Sequence, residues 1–240
     1  MRMSNIFAIS TSSSLLSAAV KKSSGEILEL AASGSLNHAE KLMPFVDRLL
    51  QKARLKVSSV DTYLIDRGPG SFTGLRVGFA TLAGLLALEK KDCYGCLSLD
   101  IMAQRCLPGE KMAVLLDAYR QKIYARTYRN SAGRVRAETG VQVLPLAQVV
   151  SLLTPETVIA GNAVSRYREK LLETVPPERF ASERKWYPRA SNMIEAFLAE
   201  RDSSKKDRWF QKLVKTMDFL PLYFRLSEAE EKRDEHANLR

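Results

Sequence analysis

The sequence predicts an α/β fold made of two successive halves with mixed sheets, and three observations predict it. Short apolar runs of strand length alternate with segments whose apolar residues recur at helical spacing. The first 106 residues read strand-strand-strand-helix-strand-helix-strand-helix, and the remainder loosely repeats that order. A glycine-rich stretch, residues 67–78, joins a strand directly to a helical pattern, which is where α/β proteins place ligands. With 240 residues, 45% of them hydrophobic, the chain can bury a sizeable core.

The elements follow in order. Ile6-Phe7-Ala8-Ile9 is a short apolar strand, the polar run 10–14 a turn, and residues 15–20 a second strand. Lys21-Lys22-Ser23-Ser24-Gly25 turns the chain into a third strand at 27–30, giving an antiparallel meander. Asn37 with Glu40 three residues on resembles a capping box, and Leu42, Phe45 or Val46, Leu49, Leu50 and Ala53 recur at helical spacing. Pro44 falls inside that helix and predicts a kink. Residues 60–65 form the fourth strand and 93–97 the fifth, with a short helix at 98–106 capped by Ser98. Strands at 111–116, 122–129 and 134–138, with a hairpin turn at 130–133, open the second half. Helices at 146–153, 164–173 and 191–201 follow, with a strand at 158–160 between the first two. Leu107-Pro108-Gly109 marks the boundary, dividing the chain into 1–107 and 108–240, and the mixed-charge tail 227–240 reads as a helix with a frayed end.

The loop Arg67-Gly68-Pro69-Gly70-Ser71-Phe72-Thr73-Gly74-Leu75-Arg76 carries the most chemistry. Gly68 and Gly70 permit positive φ, Pro69 fixes its own φ, and Ser71 or Thr73 can cap the helix that follows. Such a helix start favours an anion, yet the same residues also suit a tight connection and nothing more. The Walker lysine and the Rossmann glycine spacing are both absent, so this is not a standard nucleotide loop. The helix beyond it carries Gly74, Gly78, Ala80, Ala83, Gly84 and Ala87, a row of small residues that lets another backbone approach closely, within the chain or across an interface.

Composition narrows the classes. The net charge of +10 suits a polyanionic partner, but lysine and arginine are interspersed with acids and mark no single patch. The run Cys93-Tyr94-Gly95-Cys96 falls in a strand, where residues three apart face opposite sides about 10 Å apart, too far for a disulfide. With only His38 and His236 to add, a zinc site is not expected. The sequence offers no membrane-crossing run and no signal-peptide pattern, and a cytoplasmic location is expected.

These residues resemble a known family. The run 68–76 is similar to the signature of the TsaB (YeaZ) family, whose members support threonylcarbamoyladenosine modification of tRNA. The likeness continues in the first strand, in Asn37-His38-Ala39-Glu40-Lys41-Leu42-Met43-Pro44, in Leu116-Asp117-Ala118-Tyr119-Arg120-Gln121-Lys122-Ile123-Tyr124, and in Pro221-Leu222-Tyr223-Phe224-Arg225, and it is vaguest over 137–220. The resemblance implies a duplicated ribonuclease-H-like, actin-like fold. It further implies a non-catalytic subunit that pairs with a TsaD-like catalytic protein, alongside a TsaE-like ATPase, with tRNA engaged through the complex.

Several site expectations follow from that resemblance. The loop residues Gly68, Gly70, Ser71, Thr73, Gly74 and Arg76 stiffen an interface or lie near ATP or ADP held between subunits, while the chain alone binds no cofactor. His38, Met43, Val46, Leu50, Gly78, Leu82 and Leu85 are expected on the partner surface, which a homodimer covers when the partner is missing. No catalytic or metal-ligating residue is expected: the histidine pair of a TsaD-like site is incomplete, since Leu42 stands four residues after His38. The family's usual aspartate in the first-strand turn is Ser10 here, and Asp117 reads as an Asx-turn or helix-start residue. The competing reading is a stand-alone actin-like kinase or hydrolase that uses the glycine loop for phosphates and Asp117 for a metal or as base. A basic RNA-binding module is a further alternative.

Overall fold

Alternation of side chains along the first strand determines the layers of the first half. The computed structural model describes residues 4–33, 38–87, 91–201, 209–213 and 219–224, with the backbone alone for 38–40. Strands β1 (Ile6–Ser10), β2 (Leu15–Lys21) and β3 (Ile27–Ser33) form the antiparallel meander. Helix α1 (His38–Ala53) leads to β4 (Thr62–Asp66), which pairs parallel to β1, and α2 (Phe72–Ala87) leads to β5 (Asp92–Cys96), parallel to β4. Every residue of β1 is buried: Phe7 and Ile9 pack into one core, Ile6 and Ala8 into another on the opposite face. Leu42, Val46 and Leu49 of α1, with Phe79 and Leu82 of α2, cover the first face.

After the short helix α3 (Ser98–Ala103), a smaller sheet repeats the plan. Strands β6 (Lys111–Asp117), β7 (Lys122–Ser131) and β8 (Arg134–Ala137) form a second antiparallel meander, joined on β7 by β9 (Gln142–Pro145). Helix α4 (Leu146–Val150) precedes β10 (Val158–Ala160), which runs parallel to β6 as β4 does to β1. The helix expected at 164–173 is two pieces, α5 (Ala163–Arg166) and α6 (Arg168–Leu172), because the backbone of Tyr167 leaves the helical region.

Described residues beyond the expected division at 107/108 also complete the first sheet. Helix α7 (Ala190–Arg201) packs Met193, Ile194 and Phe197 onto the second face of the first sheet, against Ile6, Ala8 and Ala19. Strand β11 (Gln211–Lys212) adds to the edge of that sheet beside β5, and Phe219 meets Phe79 of α2 edge-on at 5.2 Å. The physical reason is that the first sheet exposes two apolar faces, and α1 and α2 cover only one. Glu29 on β3 fixes the return: it accepts from Ser17 (2.7 Å), Ser191 Oγ (3.0 Å) and both Nε and Nη2 of Arg189 (3.0 and 2.9 Å). Burial pushes the Glu29 carboxyl up, and these donors together hold it below the usual value.

Asp100 on α3 ties the halves together, accepting from Arg126 Nη1 and Tyr128 Oη of β7, both at 2.7 Å. Burial pushes its pKa up to about 6, against the opposing pull of the Arg126 charge and the Tyr128 hydrogen bond. Cys93 and Cys96 lie in different cores on opposite faces of β5, as their spacing requires. Asn37 and with it the Asn37–Glu40 cap, the side chain of His38, and the tail 227–240 lie outside the described residues. No helix among the described residues is long and apolar enough to cross a membrane.

Candidate functional site

The cleft between the halves has a volume of about 430 Å³. Its walls are the β1–β2 turn with Ser12 and Ser14, the glycine loop with Gly70 and Ser71, and Asp117 and Asn162 of the second half. These turns meet because β1, β4 and β6 all end at the cleft, so the connections after them converge there.

Beneath the loop lies Asp66, a residue that sequence reasoning missed. Its side chain accepts from Ser10 Oγ (2.7 Å), Ser12 Oγ (2.5 Å), Ser98 Oγ (2.6 Å) and the Gly68 amide (2.9 Å). It is 1% exposed, and burial pushes its pKa up although all four donors oppose that shift. The signal was an aspartate ending an apolar strand, with serines at the ends of two neighbouring strands. Ser98 is therefore not the helix cap expected of it: Leu97 occupies that position without a side-chain cap, and the Ser98 hydroxyl is turned to Asp66. The carboxylate that Ser10 lacks stands instead on the adjacent strand, saturated by donors rather than open to a cation.

The glycines of the loop answer a packing need. A Cβ on Gly70 would lie within 3.0 Å of the Ser12 carbonyl, one on Gly74 within 3.0 Å of the Thr11 carbonyl, and one on Gly78 within 3.0 Å of Thr11 Oγ1. Gly74 and Gly78, four apart, form a stripe down the start of α2, and with Gly70 in the loop before it they let the β1–β2 turn lie directly on the backbone. Gly68, with φ +94°, turns the chain. Ser71 is the cap: its Oγ accepts from the Gly74 amide at 3.1 Å, while its own amide donates to the Ser12 carbonyl at 2.7 Å. Two of the amides that an anion would use are thus engaged within the chain.

Asp117 adopts the expected Asx turn, accepting from the Tyr119 amide at 3.1 Å, and it also pairs with Arg166 at 2.8 Å. Arg76 meets the C-terminal segment, its Nε donating to Tyr223 Oη at 3.3 Å while the Tyr223 ring stacks on Phe72 at 4.8 Å. Thr73 is exposed at the helix start.

The expected partner surface needs correction. Val46, Leu50, Leu82 and Leu85 belong to the chain's own core between the helices and the first sheet, and Gly78 is buried against Thr11. These helical faces are apolar because they cover β1 and β4, so they are not presented outward. Met43, 48% exposed, is the one member of the set the structure places at the surface among described side chains. The outward side of α2 is instead Ala80, Ala83, Gly84 and Ala87, all exposed.

Two linked sheets of repeated topology, with a cleft between them, define a duplicated ribonuclease-H-like, actin-like protein. The family described as TsaD, tRNA N6-adenosine threonylcarbamoyltransferase, matches residues 27–187. The TsaB protein of Bacillus subtilis, named for tRNA threonylcarbamoyladenosine biosynthesis, is 26% identical over 234 residues, spanning 95% of this chain and 96% of that protein. The structure of YeaZ from Pseudomonas aeruginosa superposes with a TM-score of 0.72 at 26% identity, covering 92% of this chain and all of that one. An uncharacterised protein of Mycobacterium leprae is 33% identical over 132 residues, and this chain spans only 36% of it. The chain belongs to the TsaB (YeaZ) family within this wider group.

Proposed function

We propose that this chain is the non-catalytic subunit that supports a TsaD-like threonylcarbamoyltransferase in forming threonylcarbamoyladenosine on tRNA. The observation that carries the reading is the division of labour on α2. Its inner stripe of Gly74 and Gly78 is closed by the β1–β2 turn, while its outer side presents Ala80, Ala83, Gly84 and Ala87, with Met43 exposed on the neighbouring helix. An outward row of small side chains lets a second helix approach at close range, and a homologous partner would bring helices of matching length.

The state of the cleft supports a binding role over catalysis. Asp66 is saturated by four donors, and Asp117 is held by Arg166 and by its own turn. The loop thus braces α2, and ATP or ADP, where it takes part, lies between subunits. A TsaE-like ATPase and the tRNA join through the complex, and the same face closes a homodimer when the partner is missing.

The test is radiolabelled threonine incorporation into unmodified tRNA with ATP and bicarbonate, using the remaining threonylcarbamoylation proteins with and without this chain. Incorporation should require the chain. Ala83→Glu, at an exposed site where folding is expected to be within about 0.5 kcal/mol of wild type, should abolish both co-elution with the TsaD-like protein and incorporation. Full incorporation without the chain refutes the subunit role, and full activity of the variant refutes the α2 face.

A further inference from the structure

Among the described residues the backbone crosses between the two sheets twice, outward along α3 between β5 and β6 and back through Tyr187-Pro188-Arg189 ahead of α7. Any rotation of one half against the other must be absorbed by backbone torsions in those few residues. We propose that both crossings are clamped, so that the halves are locked at one separation and the cleft is a slot of fixed width rather than a jaw that closes on a ligand.

The first clamp grips α3 from both sides, and every residue of that helix is buried. At its start Ser98 Oγ donates to Asp66 at 2.6 Å and the Ser98 amide donates to the Gly68 carbonyl at 2.8 Å, which fixes it to the first sheet and the glycine loop. Two residues on, Asp100 accepts from Arg126 and Tyr128 of β7, both at 2.7 Å, which fixes it to the second sheet. The anchors are so close in sequence that no run of free backbone lies between them to take up a rotation. Both carboxyl groups are buried, so parting either from its donors would leave a buried polar group unpaired. The second clamp holds the return. Arg189 donates Nε and Nη2 to Glu29 of β3 at 3.0 and 2.9 Å, and the Ala190 amide donates to Ser17 Oγ of β2 at 2.8 Å. Pro188, on the cleft wall, has its φ fixed by its own ring. The crossings are also tied to each other: Arg105, just beyond α3, donates Nε to Asn192 Oδ1 of α7 at 3.0 Å, and Lys185 Nζ donates to the Arg105 carbonyl at 3.2 Å. A hinge needs pliant connections, and here each connection is held by side chains of the layers it joins.

The lock stands whether or not the chain serves a TsaD-like partner, and its test is a distance. Ser14 in the β1–β2 turn and Ser165 on α5 are exposed in different halves beside the cleft, while Cys93, Cys96 and Cys106 are buried. Ser14→Cys and Ser165→Cys therefore carry nitroxide labels on the full chain while the native thiols stay unlabelled. Pulsed electron resonance should give one narrow distance distribution that moves by less than about 2 Å when magnesium-ATP is added at millimolar concentration. Adding Ser98→Ala and Arg189→Ala, which removes one tie from each crossing, should broaden the distribution at least about twofold. Tyr128→Phe in place of Ser98→Ala gives a second reading if that variant does not fold, since it removes one donor to Asp100 and keeps the ring. Val60→Ala, in the core at the end of β4 remote from the cleft, loosens packing without touching either crossing and should leave the width unchanged. Four results overturn the proposal: a broad or two-peaked distribution before any tie is removed, a larger shift with magnesium-ATP, a width that stays narrow once the ties are gone, or equal broadening by Val60→Ala.

Discussion

Replacing Gly74 with alanine sets two effects of opposite sign against each other in a single helix. Alanine is the better helix former, worth up to about 1 kcal/mol at an interior position. Against that, the new Cβ would lie within 3.0 Å of the Thr11 carbonyl. The obstacle is a backbone atom in a turn whose neighbour Ser12 is bound to both Asp66 and the Ser71 amide, so it cannot rotate away. Overpacking of this kind costs about 1–3 kcal/mol or more, which puts the variant roughly 2 kcal/mol below wild type. For a chain of this size that is a fall in Tm of about 4–8 °C. Gly84, on the same helix, has nothing within 4 Å of its would-be Cβ, so Gly84→Ala should stabilise by up to about 1 kcal/mol and raise Tm by about 2–4 °C. Thermal and urea unfolding of the two single variants measure both signs. A Gly74→Ala protein as stable as wild type would refute the account of the loop as a packed joint and restore the reading of its glycines as a cradle for a ligand.

Two further outcomes follow from contacts that tie distant parts of the chain. Asp100 has its pKa raised from 3.8 to about 6, so between those values the native state holds the proton that the unfolded chain has released. Its contribution is fully present below pH 4 and is lost as pH rises through 6, a change of about 3 kcal/mol. The unfolding free energy of wild type minus that of Asp100→Asn, measured from pH 4 to 7, should fall by that amount, and a flat difference would contradict the assignment. Tyr223→Ala removes the stack on Phe72 and the Arg76 contact, and should make the segment 219–224 the first site of limited proteolysis, with a loss of about 1–2 kcal/mol in global stability.

The layers were legible because period-2 and period-3.6 patterns report burial directly, and β1, α1 and the second meander all appear where their patterns place them. What the patterns do not report is what an apolar face is buried against. Val46 and Leu82 carry the same signal whether they meet a partner or the chain's own sheet, and only the fold shows that it is the sheet. The row of small residues on α2 likewise splits into an inner stripe closed by Thr11 and Ser12 and an outer one left open, a distinction of helical phase that composition hides. Asp66 escaped notice because its partners Ser12 and Ser98 lie 54 and 32 residues away, beyond the reach of any spacing rule. The motif 221–225 was visible as a likeness, but the place of Leu222 against Arg67 and of Tyr223 against Phe72 was not.

The return of α7, β11 and the segment 219–224 to the first sheet bears on how the protein is made. A ribosome releases β1 to β5 first, yet one face of that sheet stays bare until residues 190–201 emerge, and the edge of β5 stays unpaired until residues 211 and 212 do. The Arg67 side chain meets the Leu220 carbonyl only after 153 further residues have been added. The strands of the second sheet, all within residues 111–160, pair with one another without such a wait, and Trp209 and Phe224 join their core later. The half synthesised first is therefore the half completed last, and during that interval its open edge and apolar face depend on speed of synthesis or on chaperones to stay out of other chains.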